Sequence, residues 1–364
     1  MTTLSSEQLP HATAKSLRVL GKIREGAEDF QVDEIPAYAP EGRGDHLFVH
    51  FKKTDLSTPE AVKKIAEGLG VDANQAGFAG LKDKRAITTQ WASFFGASPE
   101  KAAALALPGI EVLQAERHPQ KLRTGHLRGN RFRLRIRGTQ EGAEAIATEV
   151  LDELVRYGSP NYYGEQRFGI AGQNLARAHA WIVERGRPPR SRFDRKLLAS
   201  VWQSQLFNTW LAARLHDGTW RSAVHGDLMR KEDTGGLFTA EDASEAQARA
   251  ERFEISATGP MFGADMRWPT QAALAQEEAL LDGSGFQKER LRELRNVAPG
   301  TRRVARIRPE DVRVATESSD RLLLELTLPK GAYATVVLRE LQKADAEEAS
   351  IPDGGSDPDA PDLE

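Results

Sequence analysis

The segment best suited to chemistry is residues 77–90, which places one carboxylate among several cations. Asp83 lies between Lys82 and Lys84, and Arg85 follows them directly, just after an apolar run that contains two glycines. Nearby positive charge favours the ionised form of a carboxylate, and glycine allows a sharp turn or a close backbone approach. The segment therefore predicts a reactive carboxylate on a turn, with an ordinary solvated turn as the alternative.

The composition excludes several other kinds of active site. The 364 residues contain no cysteine, which excludes disulfides, thiolate catalysis and cysteine-bound zinc. The eight histidines are scattered singly, without the spacing of metal ligands, so no catalytic metal is expected. There is neither a run of eighteen apolar residues nor a secretory signal, and we expect a cytoplasmic protein with two domains.

Basic residues are clustered, although the net charge of the chain is −3. Residues 344–364 hold eight acidic residues and no basic one, and this acidic tail, rich in Pro, Gly and Asp, is expected to be disordered. The rest of the chain has 50 basic against 45 acidic residues, with arginine-rich clusters at 117–137, 185–196 and 302–308. Three such clusters favour a nucleic-acid partner over a solvated surface without function.

The order of the expected elements indicates an α+β protein with an insertion. Alternation of apolar and polar residues predicts strands at 29–35, 46–51 and 131–137, and a helix is expected from the N-cap Thr58 to Gly70. Helical periodicity dominates from about residue 157, and strand-like segments return from about residue 304. The domains expected from this order are a flexible arm (1–17), a discontinuous catalytic domain (18–156 and 306–343), a mainly helical insertion domain (157–305) and the disordered acidic tail (344–364).

Four separated motifs together resemble the TruD-type tRNA pseudouridine synthases. They are, in chain order, Phe78–Lys84 with Thr88 and Gln90, Gly129–Phe132, Asn161–Gly169 and Gly331–Thr335. The resemblance covers roughly residues 20 to 343, and its most specific part is Asn161–Gly169, which we expect to form a hinge between the domains. It implies a pseudouridine synthase fold with a mixed, largely antiparallel central sheet and a TruD-type insertion domain. It also implies a tRNA partner and isomerisation of uridine 13 in the D arm, without cofactor or metal.

In the family that these motifs resemble, one aspartate is indispensable, and the resemblance assigns this role to Asp83. Making pseudouridine breaks the N1–C1′ bond of uridine and rejoins the turned base through C5. A carboxylate suits this reaction as a nucleophile or as the base that removes the C2′ proton. Attack at the ribose, attack at C6 of uracil and a glycal route all stay open. The cation that orients the aspartate aligns with Arg24, where relatives often have lysine.

The resemblance also implies how the target uridine is held. A uridine inside folded tRNA must be flipped out, and a flipped base is usually held between aromatic or apolar groups. Phe132 matches the aromatic residue that stacks on the base, with core packing as the alternative. The further assignments are substrate contacts by Phe30, Asn130 and Tyr333, supporting roles for Glu34, Lys82 and Gln90, and RNA backbone contacts by Lys121, Arg123, Arg128 and Arg131.

Two other classes of protein remain open at this stage. A tRNA-binding protein without catalysis would have no chemical need for the intact Asp83 motif. A hydrolase acting on a small nucleoside would leave the basic clusters unexplained.

Overall fold

The computed structural model describes residues 9–343. The acidic tail and the first eight residues of the expected N-terminal arm lie outside the described residues.

The strands of the described chain are numbered β1 to β15. They are Lys22–Ile23, Phe30–Pro36, His46–Thr54, Gly77–Phe78, Ile87–Phe95, Ile110–His118, Leu127–Arg137, Ser159–Pro160, Leu228–Lys231, Leu237–Thr239, Ile255–Met261, Thr301–Val304, Arg306–Ile307, Glu310–Ser318 and Arg321–Pro329. The α-helices, α1 to α8, are Thr58–Leu69, Pro99–Ala103, Ala143–Tyr157, Gln173–Ile182, Arg192–His216, Ala243–Glu251, Gln271–Gly283 and Ala334–Gln342.

The large sheet has nine strands and carries the candidate site. Its order is β14-β15-β7-β2-β5-β3-β6, with β1 paired to β7 and β4 paired to β5. The β2–β5 pair is parallel, and the other strand pairs of this sheet are antiparallel. The expected mixed, largely antiparallel sheet of an α+β protein is therefore confirmed.

Helix α1 covers one face of the large sheet. Alternation along β3 buries Leu47, Val49 and Phe51 against Val62 and Ile65 of the helix. The N-cap expected at Thr58 is wrong by one residue. The Ser57 hydroxyl accepts a hydrogen bond from the backbone N–H of Glu60, whose carboxylate accepts one from the backbone N–H of Ser57 in a capping box. Gly70 ends the helix with φ 75°, as expected.

The inserted region contains a sheet in addition to helices, so the expectation of a mainly helical insertion is incomplete. Strands β10, β9, β11 and β12 form a four-stranded antiparallel sheet in that order. Strand β11 is buried along its whole length and packs against α5. A Cβ at Gly259 would lie 2.3 Å from the ring of Trp210, so only glycine permits this close packing.

The inserted region joins the rest of the chain through two short segments. Strands β8 and β13 pair antiparallel where the chain enters and leaves the insertion. Asn161, next to β8, donates a hydrogen bond to the Val304 carbonyl and accepts one from Arg303. Tyr162, Tyr163 and Arg167 of the motif Asn161–Gly169 are buried here, which gives this motif a packing role.

Residues 12 and 13 of the expected flexible arm (1–17) bind α8. The buried Glu340 carboxylate of α8 accepts hydrogen bonds from the backbone N–H groups of Ala12 and Thr13 and from the Thr13 hydroxyl. Leu9 is buried in the core of the insertion. Satisfying a buried carboxylate in this way fixes the segment in place.

Candidate active site

Asp83 binds Arg24, a cation 59 residues earlier in the sequence. Asp83 lies in the loop between β4 and β5, and the Arg24 Nη2 donates to its Oδ2 at 2.7 Å. The Asp83 side chain is 13% exposed and that of Arg24 5%, so the carboxylate is the member of the pair that solvent reaches more. Burial lowers the pKa of Arg24, and Asp83 opposes that shift.

Arg24 also has an unusual backbone conformation. Its φ is 64°, in the left-handed region that residues other than glycine adopt infrequently. Such strain is found most often at functional sites, where the surrounding structure holds it in place. The guanidinium carbon lies 3.8 Å from the centre of the Phe30 ring, a cation–π contact.

The lysines that flank Asp83 in the sequence bind other carboxylates. Lys82 Nζ lies 2.6 Å from Glu34 Oε2 in a buried pair, and Lys84 Nζ lies 3.1 Å from Glu60 Oε1 in an exposed one. Their expected role as the cations next to the Asp83 carboxylate is therefore corrected. Arg24 makes the ion pair with Asp83, and the fold brings it there from 59 residues away in the sequence.

Side chains rather than strand pairing hold the Asp83 loop. The Thr58 hydroxyl accepts a hydrogen bond from the Lys82 backbone N–H and donates one to Gln90 Oε1. The Glu34 Oε1 accepts from the Trp91 backbone N–H at 3.1 Å. Glu34, Lys82 and Gln90 thus help to hold the Asp83 loop by hydrogen bonds. Thr58 and Trp91 do so too, although the sequence did not indicate this role for them.

An aromatic pair lies next to Arg24. The rings of Phe30 and Phe132 are 6.2 Å apart and meet edge to face, and both are buried. Asn130 lies directly opposite Glu34 in the β2–β7 register, one position along the same face from Phe132. The Asn130 Oδ1 is buried and has no hydrogen-bond partner among the described residues. Direct contacts therefore connect Asp83, Arg24, Phe30 and Phe132 in series. The strand register places Asn130 next to Phe132.

Tyr333 lies in a different environment, at the start of α8. Its ring is 6.0 Å from that of Tyr163 and 6.0 Å from the Arg303 guanidinium, at the junction with the insertion. It is buried among residues of this junction, with 8% of its surface exposed.

Two of the basic residues expected to bind RNA, Lys121 and Arg123, lie in a segment that contacts the Asp83 loop. The Gly125 backbone N–H donates to the Ala79 carbonyl at 2.8 Å, which holds the segment with Lys121 and Arg123 against that loop. Arg123, Arg128 and Arg131 are exposed, and within residues 9–343 no carboxylate forms an ion pair with them. By contrast, three arginines further along β7 are paired to acids: Arg133 to Glu325, Arg135 to Glu317 and Arg137 to Asp29.

The cluster at 302–308 is structural in large part, which corrects its expected place on an RNA-binding surface. Arg302 binds Glu277 at 2.6 Å with both side chains 2% exposed. Arg303 and Arg306 are buried and donate to backbone carbonyls, among them those of Gly331 and Tyr157. These guanidiniums stabilise the junction with the insertion.

The sequence argument also missed the buried Lys53 of β3. Its Nζ donates to the Asp83 carbonyl oxygen at 2.7 Å. The signal was available, because Lys53 continues the buried alternation of β3 beyond Phe51, the last residue of the expected strand.

Neither a metal cluster nor a membrane-spanning helix is found within residues 9–343. Nowhere in this range do three or more His, Asp or Glu side chains gather as metal ligands would. No helix in the same range is long and apolar enough to cross a bilayer.

Comparisons with known proteins agree on one family. The family model described as tRNA pseudouridine synthase D (TruD) matches residues 10–186 and 194–341. A protein of Anaeromyxobacter dehalogenans named tRNA pseudouridine synthase D is 48% identical over 344 residues, 93% of this chain and 97% of its own. One of the same name from Thermus thermophilus is 42% identical over 341 residues, 93% of this chain and 94% of its own.

A solved structure has the same fold. The crystal structure of a Methanosarcina mazei protein, solved as a TruD candidate, superposes with a TM-score of 0.70. The two chains are 23% identical, and the match covers 95% of this chain and 97% of the other.

Proposed function

Because the chain belongs to the tRNA pseudouridine synthase D (TruD) family, we propose that it isomerises uridine to pseudouridine at position 13 in the D arm of tRNA. The observation that carries the proposal is the ion pair between Asp83 and Arg24, 2.7 Å long, next to the Phe30–Phe132 pair. We propose the cytoplasm as the location, since tRNA is the substrate.

Asp83 is the catalytic carboxylate in this proposal. The reaction breaks the N1–C1′ bond of uridine, forms a C5–C1′ bond and releases the hydrogen of C5 as a proton, while N1 gains one. Asp83 acts as the nucleophile or as the base that removes the C2′ proton. Arg24 orients the carboxylate, and its guanidinium is held by Phe30 at 3.8 Å.

The groups beside this pair hold the flipped uridine. Phe132 stacks on the base, and the buried Asn130 Oδ1, which has no partner among the described residues, accepts a hydrogen bond from a base or ribose edge. Phe30 keeps both Arg24 and Phe132 in place by direct contact. Tyr333 packs against Tyr163 at the junction with the insertion. It can therefore contact only a part of the tRNA that lies at this junction.

Exposed cations give the tRNA two contact surfaces in this proposal. The first surface consists of the partly exposed Lys121 with the exposed Arg123, Arg128 and Arg131. The second consists of Arg185, Arg187, Arg190 and Arg192, which are exposed and, within the described range, form no ion pair. Phe193 beside them is 44% exposed, and an exposed aromatic among arginines suits an unpaired base.

The proposal is tested by tritium release from tRNA labelled at C5 of uridine, because forming the C5–C1′ bond expels that hydrogen. Wild type is expected to release tritium, and Asp83→Asn is expected to release none while its tRNA Kd stays within about twofold. Arg43→Gln, at an exposed residue paired with Glu41, serves as the control and should keep full turnover.

Retained turnover in Asp83→Asn would exclude Asp83 as the catalytic group. Binding of tRNA without release by wild type would favour the RNA-binding class of protein instead.

A further inference from the structure

A lysine interrupts the apolar face of β3 directly beneath the Asp83 loop. Leu47, Val49, Phe51 and Lys53 follow each other at every second position, so they share one face of the strand. All four are 0% exposed, and the first three pack into the core under α1. An apolar side chain would continue this face at no electrostatic cost, so the lysine requires a specific reason.

The ammonium group of Lys53 ends at the main chain of Asp83. Its Nζ donates to the Asp83 carbonyl oxygen at 2.7 Å, while Arg24 binds the carboxylate of the same residue at 2.7 Å. Asp83 is thus held at its backbone and at its side chain by two different cations. The loop has few backbone hydrogen bonds of its own, so this contact is one of its main anchors.

The charges around Lys53 are mixed. Asp83, Glu60 and Asp55 favour its protonated form, whereas burial and the neighbouring Lys82 disfavour it. Burial is the largest of these effects and lowers the pKa of Lys53 to about 8. Lys53 is therefore mainly protonated at neutral pH and loses its charge within the alkaline range in which enzymes are routinely assayed.

We propose that Lys53 is a positioning residue of the Asp83 site, which fixes the Asp83 backbone and supplies a buried positive charge beside its carboxylate. The inference rests on the proposed function in that it takes Asp83 as the catalytic carboxylate. The charge attracts the carboxylate and holds it in position as the target uridine enters and displaces water from the site. When Lys53 is deprotonated, the hydrogen bond persists through the neutral amine but the charge is lost.

The chain offers a matched control next to Lys53. Lys52 lies on the opposite face of β3, with its side chain 42% exposed and its Nζ 3.6 Å from Glu111. Lys53→Met removes the buried charge and the hydrogen bond, Lys53→Arg keeps a charge that does not titrate below about pH 12, and Lys52→Met removes an exposed charge.

The experiment measures kcat by tritium release from about pH 7 to 9.5, together with the tRNA Kd and the thermal unfolding of each variant. Wild type is expected to lose about threefold or more of kcat above pH 8. Lys53→Met should lose about 100-fold of kcat at pH 7.5, with Kd and melting temperature nearly unchanged and with no further alkaline loss. Lys53→Arg should recover part of kcat and keep it throughout the alkaline range, and Lys52→Met should behave as wild type.

An activity-independent arm separates this inference from the proposed function. NMR of lysines labelled with 13C at Cε should show Lys53 titrating near pH 8, and the titration midpoint should fall in Asp83→Asn because a favourable charge is removed. A wild type without turnover would refute the proposed function, and the NMR result would still decide whether Lys53 and Asp83 interact. Full activity of Lys53→Met, or a Lys53 midpoint unchanged by Asp83→Asn, would overturn the inference.

Discussion

At the scale of single residues, Arg24 is constrained from three directions. Its guanidinium binds the Asp83 carboxylate at 2.7 Å and lies over the Phe30 ring at 3.8 Å, and its backbone has a φ of 64°. A planar guanidinium satisfies the carboxylate and the ring at once, which a lysine ammonium on a flexible stem does less well.

Substitutions at Arg24 should therefore reduce catalysis in graded steps. We expect Arg24→Lys to lower kcat about tenfold and Arg24→Met about 100-fold, because the Asp83 carboxylate loses its orientation while tRNA contacts elsewhere persist. Single-turnover tritium release and a tRNA binding isotherm measure the two quantities separately. A drop in affinity with unchanged kcat would instead place Arg24 among the tRNA-binding residues.

The two lysines beside Asp83 should differ in their effects on stability. Lys82→Met leaves Glu34 as an unpaired buried carboxylate, which is expected to cost about 3–5 kcal/mol in the free energy of unfolding. Lys84→Met breaks an exposed pair with Glu60 and should cost far less, because solvent screens exposed ion pairs. Urea unfolding of both variants measures the difference, and equal losses would mean that the Lys82–Glu34 pair is not buried in solution.

Residue types and spacing alone indicated Asp83 but not the cation that binds it, and only the resemblance indicated Arg24. The adjacent lysines were the obvious cations for Asp83, yet their long side chains reach other carboxylates. Which of several nearby charges meet depends on side-chain direction within the folded loop, which sequence spacing does not define.

At the scale of elements, the docking of residues 9–13 on α8 gives a prediction about pH. His11 lies 3.8 Å from the Glu340 carboxylate, but burial, together with Arg339, Lys343 and Lys15, lowers the pKa of His11 from 6.5 to about 3. The folded chain therefore binds fewer protons at His11 than the unfolded chain does between these two pH values. The stability contributed by neutral His11 is fully present above the unfolded pKa and is lost as the pH falls through this range.

Replacing His11 should flatten this dependence. Between about pH 6.5 and 5.5, above the range in which most carboxylates titrate, wild type should lose about 1 kcal/mol more unfolding free energy than His11→Asn. Urea unfolding at the two pH values measures this change in unfolding free energy. The same pH dependence for wild type and His11→Asn would show that residues 9–13 are not docked.

Elements with a regular apolar period were predictable, whereas those defined by tertiary contacts were not. Strands β2, β3 and β7 and helix α1 follow their alternation or period closely. Strand β11 is buried throughout, and the docked N-terminal segment has no period at all, because its order comes from the carboxylate of Glu340. Glu340 lies 327 residues away from Thr13 in the sequence, so the sequence of the N-terminal segment alone does not predict this contact.

At the scale of the whole molecule, β7 offers a test of where tRNA lies. Arg131 and Arg133 point to the same face of β7, two positions apart, but Arg131 forms no ion pair within residues 9–343, whereas Arg133 lies 3.7 Å from Glu325. Arg131→Gln is expected to weaken tRNA binding and to lower the salt slope of log K by about 1, since one phosphate contact is lost. Arg133→Gln should change either value much less.

Fluorescence titration of tRNA over a series of salt concentrations measures these slopes. Identical slopes for both variants and wild type would place the RNA backbone away from this face of β7. Composition alone suggested three basic surfaces, but the structure uses most of the 302–308 cluster to bind buried carboxylates and carbonyls. A cluster of basic residues in a sequence does not show which of them bind acidic residues or carbonyls in the folded chain. Only the structure shows which cations are available to a polyanion.

We propose that this chain converts uridine 13 of tRNA to pseudouridine by means of Asp83. The most direct test treats unmodified tRNA with wild type or with Asp83→Asn and then maps pseudouridine at single-nucleotide resolution. We predict modification at position 13 with wild type and none with Asp83→Asn. Modification by Asp83→Asn, or modification by wild type only at other positions, would contradict this proposal.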